Sequence, residues 1–272
     1  MLVLSKFRLT PCAITILLAF CTGLLAANWQ TTLSKEPAGN FPELRPLRAS
    51  YRFGWSGVTA ATGEIHCIKP TNDRFQLDGT GRTIGLVRAL WKMDVNYRAI
   101  ADAKTLDPIE TQQTEKYRSK KITTYLTFSS SGVTRARTEG DGPTAKTKTK
   151  QFNFLKLFDM NSAALYLRSQ PLTQGSTYRL AIYPATNAYL ATVAVLGREK
   201  ISVRAGAFNA IKLDLRLKRI GDHLELQPHK KFRRATIWVS DDAERMILRI
   251  EAQIFVGTVF AELQSVHFDS PK

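Results

Sequence analysis

The chain has 272 residues, with 39 Lys and Arg against 23 Asp and Glu and a formal net charge of +16. This length is ample for one large β domain or two small ones. The basic balance points to anionic partners, such as lipid head groups, acidic polysaccharides or acidic proteins. Nucleic acid is disfavoured as well, because we find no nucleic-acid-binding motif.

Residues 1–27 predict a secretory signal peptide. Lys6 and Arg8 precede an uncharged run, residues 12–25, which ends at the small residues Ala26 and Ala27. This order is typical of export signals. Cleavage would leave 245 residues with a net charge of +14, since the segment carries two basic residues and no acidic one. We predict a periplasmic protein. The alternative is membrane association through an uncleaved anchor, residues 11–27, which is short against the usual span of about 20 residues.

The cysteine count follows from the same segment. Cys12 and Cys21 lie inside it, and Cys67 alone remains in the mature chain. No internal disulfide is then available, and Cys67 is either buried or pairs between chains. We expect a buried thiol, because free cysteine is among the most buried residue types.

The remainder predicts one β domain. Residues 28–46 contain three prolines and no hydrophobic period, which indicates a flexible linker. Residues 47–268 alternate in short strands separated by turn residues, and residues 269–272 form a tail. We predict an all-β, mainly antiparallel fold with two short helices, in a curved and incompletely closed β-barrel or β-spiral.

Two segments break the alternation. Residues 84–92 fit a short amphipathic helix. Asp159 is a suitable cap for a second helix, Met160–Ser169, which Pro171 ends. The spacing of this second helix predicts a buried stripe of Ala163, Ala164, Leu167 and Met160. A curved sheet with a helix across its opening would enclose a cavity, and these side chains are the candidates to line or fill it: Phe53, Trp55, Trp91, Leu165 and Trp238.

Several motifs in the second half resemble a known family. The helix segment 158–168 has the pattern F-D-x-x-S-x-x-x-Y-x-R, residues 206–210 have G-x-F-x-A, and residues 237–242 have I-W-x-S-x-D. In this order they resemble the bacterial envelope family catalogued as domain of unknown function 3108, over about residues 47–268. The resemblance implies an exported β protein of open or spiral barrel type, and it implies no reaction.

Candidate catalytic residues have simpler roles. Ser162 follows a helix cap, and Ser240 precedes the turn at Asp241 and Asp242, so local hydrogen bonds explain both serines. The two aspartates are the candidate carboxylates of a hydrolase, but neighbours on a tight turn usually point apart. The four histidines have no metal-ligand spacing, and we expect neither a metal nor another cofactor.

Basic residues supply the best candidates for ligand binding. Strand geometry puts Lys146, Lys148 and Lys150 on one face with Phe152, and a second basic segment follows at residues 229–234. Arg168 is a further candidate for an anion, or else an ion-pair partner of Asp159 or Asp241. Solvated strand faces, with lysines that protect a sheet edge, are the alternative. The full candidate set is Lys146, Lys148, Lys150, Phe152, Arg168, Lys230, Lys231, Arg233 and Arg234.

These observations favour an exported, non-enzymatic binding or scaffold protein. Its expected partner is an anionic or amphiphilic envelope component, that is, a lipid, a glycan or an envelope protein. Two alternatives stay open: a hydrolase of envelope polysaccharide, and a purely structural factor for envelope integrity. The sequence does not determine the oligomeric state.

Overall fold

The computed structural model describes residues 28–39 and 45–269. The predicted signal peptide and the alternative anchor lie outside these residues. The chain divides into two compact units, of which the first ends at Thr32 and the second begins at Leu33. Within its described part, the first unit holds one 3-10 turn, Trp29–Thr32.

The second unit is built from 15 strands and two short helices. The helices are α1 (Gly85–Leu90) and α2 (Met160–Ser169), and a 3-10 turn lies at Gly142–Thr144. The strands are β1 (Leu47–Trp55), β2 (Val58–Thr71), β3 (Arg74–Thr83), β4 (Met93–Asp102), β5 (Pro108–Tyr117), β6 (Lys120–Ser129), β7 (Gly132–Glu139), β8 (Lys146–Asn153), β9 (Thr177–Ile182), β10 (Ala188–Val203), β11 (Gly206–Ile220), β12 (Leu226–Pro228), β13 (Phe232–Ser240), β14 (Ile247–Ile254) and β15 (Gly257–Phe268).

The sheet is a long antiparallel meander that curls but does not close. Its order is β8-β7-β6-β5-β4-β3-β2-β1-β15-β14-β13-β11-β10-β9, and β12 pairs with β11 at the side. In the described part of the chain, β8 and β9 are therefore the two edges. Phe158, five residues after β8 ends, makes a single parallel bridge to Ile182 of β9. The predicted open, mainly antiparallel barrel with two short helices is confirmed.

The start of α2 is fixed by a capping box. The Asp159 side chain accepts a hydrogen bond from the Ser162 backbone N–H (2.6 Å), and the Ser162 hydroxyl accepts one from the Asp159 N–H (3.0 Å). The Thr111 hydroxyl of β5 donates to the other Asp159 oxygen at 2.7 Å. Both predicted helices are confirmed, and Ser162 has the first-turn hydrogen bond expected of it.

The predicted buried stripe of α2 is wrong in part. Met160 is 52% exposed and Ala164 is exposed, whereas Leu165 and Tyr166 are buried. The reason is that α2 packs on two sides at once. Leu165 contacts Phe75 of β3 and its neighbours, and Tyr166 packs against β9 and β10. A single-sided helical stripe does not describe a helix held between two walls.

Part of the predicted linker runs alongside α2. The Tyr166 hydroxyl donates to the Glu36 carbonyl (2.9 Å), and the Gln170 side-chain amide donates to the Pro37 carbonyl (3.0 Å). The Gly39 N–H donates to the Ser169 hydroxyl (3.0 Å). Residues 33–39 thus belong to the second unit.

The two ends of the sheet differ in how well they are filled. Along β1 the inward side chains are 3% exposed at Leu47 and 4% at Ala49, but 40% exposed at Phe53 and 51% at Trp55. We call the end of the sheet at Leu47 and Ala49 the helix end, because α2 fills it. We call the end at Phe53 and Trp55 the open end. The open end carries the β1–β2, β5–β6 and β14–β15 turns and α1.

Candidate ligand-binding site

An apolar cavity of about 380 Å³ lies against the inner face of β1–β4. Its lining includes Tyr51, Phe53, Ile65, Leu77, Met93 and Val95. Binding sites for small molecules are usually concave, mostly apolar and about 300–1,000 Å³ in volume. The space is therefore of the size and character that an apolar ligand needs.

Glycines create this space. Gly63 pairs with Gly81, and Gly79 pairs with Ile65, so the inner face of β2–β3 lacks side chains where the cavity is widest. A Cβ atom at Gly81 would have no neighbour closer than 3.8 Å, and one at Gly79 none closer than 3.6 Å. Backbone crowding therefore does not require a glycine at position 79 or at position 81. Their effect is to leave the interior empty.

A second cavity of about 370 Å³ adjoins the first, and Phe53 lines both. The other lining residues come from β1, β2, β14 and β15 and are again small or apolar, among them Trp55, Ile250, Ala252 and Val259. Trp55 thus lines an interior cavity, as predicted, while half of its surface is exposed. Leu165 is a buried filler, and Trp91 lies at the surface stacked on Tyr117 (6.1 Å between centroids). Trp238 is buried on the opposite face of β13 from Ile237, which pairs with the cavity-lining Ile250, and its indole N–H donates to Glu199 (2.6 Å).

The inner face changes from apolar to basic along the sheet. Residues directly opposite in an antiparallel pair share a face. One such row runs from β3 to β8 through Leu77, Ala99, Thr111, Leu126, Arg135 and Lys150. Thr111 marks this face as the inner one, because it contacts Asp159 of the α2 cap. The next rows end in the pairs Arg137–Lys148 and Glu139–Lys146.

The predicted lysine row therefore lies on the same concave face as the cavity. Lys146, Lys148 and Lys150 are exposed on β8, and Phe152 is buried against Tyr183 (5.9 Å between ring centroids). Lys150 forms an ion pair with Asp222 at 2.8 Å. Phe152 consequently belongs to the packed wall, and the lysines are the accessible part of this candidate set.

The second basic segment lies elsewhere. Lys230, Lys231, Arg233 and Arg234 are exposed near the open end, where the Phe255 N–H donates to the Lys231 carbonyl (3.1 Å). Arg234 pairs with buried Asp214 at 2.9 Å, and Arg216 pairs with the same carboxylate at 3.0 Å. Arg234 thus has a structural partner. The described contacts do not join this segment to the lysine row of β8.

Arg168 lies at the helix end. Its guanidinium donates to the backbone carbonyls of Ala243 and Glu244, each at 2.9 Å. Of the two predicted ion-pair partners, Asp159 caps α2 and Asp241 pairs with Arg198 at 2.8 Å. The arginine fastens α2 to the β13–β14 turn.

The turn aspartates serve the turn itself. Asp242 accepts hydrogen bonds from the Ser240 hydroxyl (2.7 Å) and from the N–H groups of Glu244 and Arg245. This turn lies at the helix end, away from the cavity lining. The two aspartates named as catalysts in the hydrolase alternative, Asp241 and Asp242, thus have structural partners. In residues 28–39 and 45–269, no three His, Cys, Asp or Glu side chains are grouped to hold a metal ion.

Two buried groups border the filled part of the interior. Cys67 is buried, as predicted, and burial raises the pKa of its thiol to about 11. Tyr97 lines the cavity, and burial followed by the charge of Asp159 raises the pKa of its hydroxyl well above the ordinary value. Both groups stay protonated near neutral pH. Sequence reasoning missed Tyr97 and the glycine-lined space, because both depend on strand register.

The chain matches a family of unknown function over residues 50–264. It belongs to the family described as Protein of unknown function (DUF3108). The resemblance seen in the helix, turn and hairpin motifs is thus confirmed. No curated protein matches this DUF3108 chain.

This DUF3108 chain is similar to several solved structures. A β-barrel-like protein of the DUF1849 family from Brucella abortus is similar with a TM-score of 0.54 and 8% identity, over 84% of this chain and all of the other. A protein provisionally assigned as a lipoprotein from Parabacteroides distasonis has a TM-score of 0.35 and 8% identity, covering 86% and 100%. A protein provisionally assigned as exported, with a YmcC-like fold, from Bacteroides fragilis has 0.33 and 13%, covering 85% and 99%.

The Brucella likeness supports a β-barrel-like fold for this family member and carries no activity. Among the described residues, no helix has the length and apolar character needed to cross a bilayer.

Proposed function

We propose that this protein is an exported, non-enzymatic binding protein for an anionic amphiphile. The observation that carries the proposal is one concave face with two characters. Glycines and apolar side chains leave interior space beside β1–β4, and exposed lysines follow on β8 of the same face. An acyl chain suits the first part, and an acidic head group suits the second.

The apolar part supplies the free energy of binding. Transfer of hydrocarbon out of water contributes about 0.8 kcal/mol per CH₂ group. The two cavities that meet at Phe53 offer space for such a chain, and small residues line much of their surface. A wide interior in a folded domain is otherwise costly, because protein cores are normally close-packed.

The basic part of the face determines which head group is preferred. Arg135, Lys148 and Lys150 lie on the inner face. The nearest acidic residues are Glu139, which pairs with Arg137, and Asp222, which pairs with Lys150. The wall as a whole is positive. It therefore favours an anionic head over a zwitterionic one.

Binding of a defined lipid tests the proposal. We would titrate the purified protein with palmitoyl lysophosphatidylglycerol and palmitoyl lysophosphatidylcholine, and measure occupancy by native mass spectrometry. Gly81→Leu fills the cavity and should weaken both lipids at least about tenfold, since it excludes several CH₂ groups. Lys146→Gln with Lys148→Gln should weaken only the anionic lipid, by about tenfold, because charged hydrogen bonds are lost.

The matched control is Lys116→Gln with Lys218→Gln, two exposed lysines on the opposite face of the sheet. It should leave both affinities unchanged. A protein that takes up neither lipid, or one in which the control variant weakens the anionic lipid as much as the lysine-row variant, would overturn the proposal.

A further inference from the structure

The open end carries a cluster of exposed apolar side chains. Among the described residues, 12 large hydrophobic side chains are exposed, and eight of them belong to the open end. Seven of these lie on turns and on α1, and we call them the tip surface: Trp55, Val58, Leu86, Leu90, Trp91, Phe255 and Val256. Their exposures range from 48% at Val256 to 84% at Leu86. Clusters of this kind mark interaction sites.

The tip surface is continuous because neighbouring turns are hydrogen-bonded to one another. The β5–β6 turn contacts α1, α1 contacts β2, the β1–β2 turn contacts the β14–β15 turn, and that turn contacts the β12–β13 turn. The bonds are Arg118 to Leu90, Ile84 to Ala60, Trp55 to Val256 and Phe255 to Lys231. This order follows the sheet, so the seven side chains line one rim.

The turn segments that carry the tip surface are basic, and the acidic side chains beside them, Asp94 and Asp141, are ion-paired with Arg88 and Lys121. The turn segments 55–60, 84–92, 116–121, 229–234 and 253–258 contain no Asp or Glu. They contain exposed cations on several sides of the apolar side chains, namely Lys92, Lys120, Lys230 and Lys231. An apolar surface with a cationic border is complementary to an anionic membrane surface.

The side chains themselves suit a bilayer interface. Trp55 satisfies its indole N–H internally, by donating to the Val256 carbonyl (3.0 Å), and leaves half of its surface exposed. Tryptophan is enriched where bilayer and water meet. Leu86 and Leu90 project from a helix of only six residues and contribute nothing buried to the fold.

We propose that the open end docks on an anionic phospholipid bilayer, with the tip surface inserted between the head groups. This inference goes beyond the proposed function and does not require it. If both hold, the docked face is also the mouth of the cavity, because the inward side chains become exposed toward this end. A lipid would then enter or leave without crossing water.

Flotation with vesicles tests the proposal. The purified protein should float with phosphatidylcholine vesicles that contain phosphatidylglycerol, and much less with phosphatidylcholine alone. Leu86→Ser with Leu90→Ser should reduce binding about tenfold or more, as apolar contact with the bilayer is lost. Lys92→Gln with Lys120→Gln should reduce it by about fivefold for each lysine removed.

Controls at the helix end make the result specific. Leu155, 74% exposed, follows β8 at that end, so Leu155→Ser should not change flotation. Lys104→Gln with Lys200→Gln should have no effect either. Equal binding to neutral and anionic vesicles, no binding to either, or equal losses in the helix-end controls would overturn the proposal. Lysolipid uptake, measured separately without vesicles, should be unaffected by the leucine variants.

Discussion

The helix end and the open end belong to one sheet but are stabilised in different ways. At the helix end, α2 and the first residues of β1 fill the interior, and inward side chains are almost fully buried. At the open end, glycines and alanines leave the interior empty, and aromatic side chains are exposed. The difference teaches that the fold needs only one filled end, which leaves the other available for binding.

The largest expected effect concerns the α2 cap. Asp159→Ala removes a helix cap and leaves the buried Thr111 hydroxyl without its acceptor. These two losses together should cost about 3 kcal/mol of the free energy of unfolding. Urea denaturation followed by circular dichroism measures the change. Asp159→Asn, which keeps a capping side chain, should lose clearly less. A loss below about 0.5 kcal/mol for Asp159→Ala would contradict a helix end held by α2.

The next effect is a pH dependence at the helix end. The pKa of Cys67 is raised from 9 to about 11, so the folded state holds the thiol proton more tightly than the unfolded state. The corresponding stability is fully present below about pH 9 and is lost as the pH rises toward 11. A shift of two pKa units corresponds to roughly 2–3 kcal/mol.

Comparison with Cys67→Ala isolates this contribution, because burial is the main cause that raises the pKa of Tyr51, and burial with the charge of Asp159 raises that of Tyr97. The wild-type advantage in the free energy of unfolding should shrink between pH 9 and pH 11. An advantage that is constant over this interval would show that the thiol is not buried.

The smallest expected effects on stability lie at the open end. Leu86→Ser with Leu90→Ser should change the free energy of unfolding by less than about 0.5 kcal/mol, since both side chains are already in water. Gly81→Leu should stay within about 1 kcal/mol, because leucine is tolerated in a strand and the space for it exists. Thermal and urea melts measure both. A large loss at either position would mean that the open end is part of the core.

The sequence predicted those features that depend on neighbouring residues. Asp159, Ser162 and Pro171 placed the bounds of α2, and Ser240 with Asp242 indicated the turn. Local hydrogen bonds decide such features, so a single segment contains the necessary information. The unpaired cysteine was expected to be buried for a similarly general reason.

The site was only partly accessible from the sequence. The lysine row of β8 was identified, but its position on the concave face follows from a chain of pairings across six strands. The cavity arises because Gly63 and Gly81 meet in register, which neither strand reveals alone. Arg168 binds carbonyl oxygens, and a charge-based search for partners does not find those.

Phe53 stands between the two cavities and is 40% exposed. Side chains of this exposure change rotamer on the nanosecond scale. If the cavities bind hydrocarbon as proposed, the ring in place would limit each compartment to a short chain. With the ring turned aside, the two compartments would be continuous. The rotamer of a single aromatic side chain would then determine which chain lengths fit.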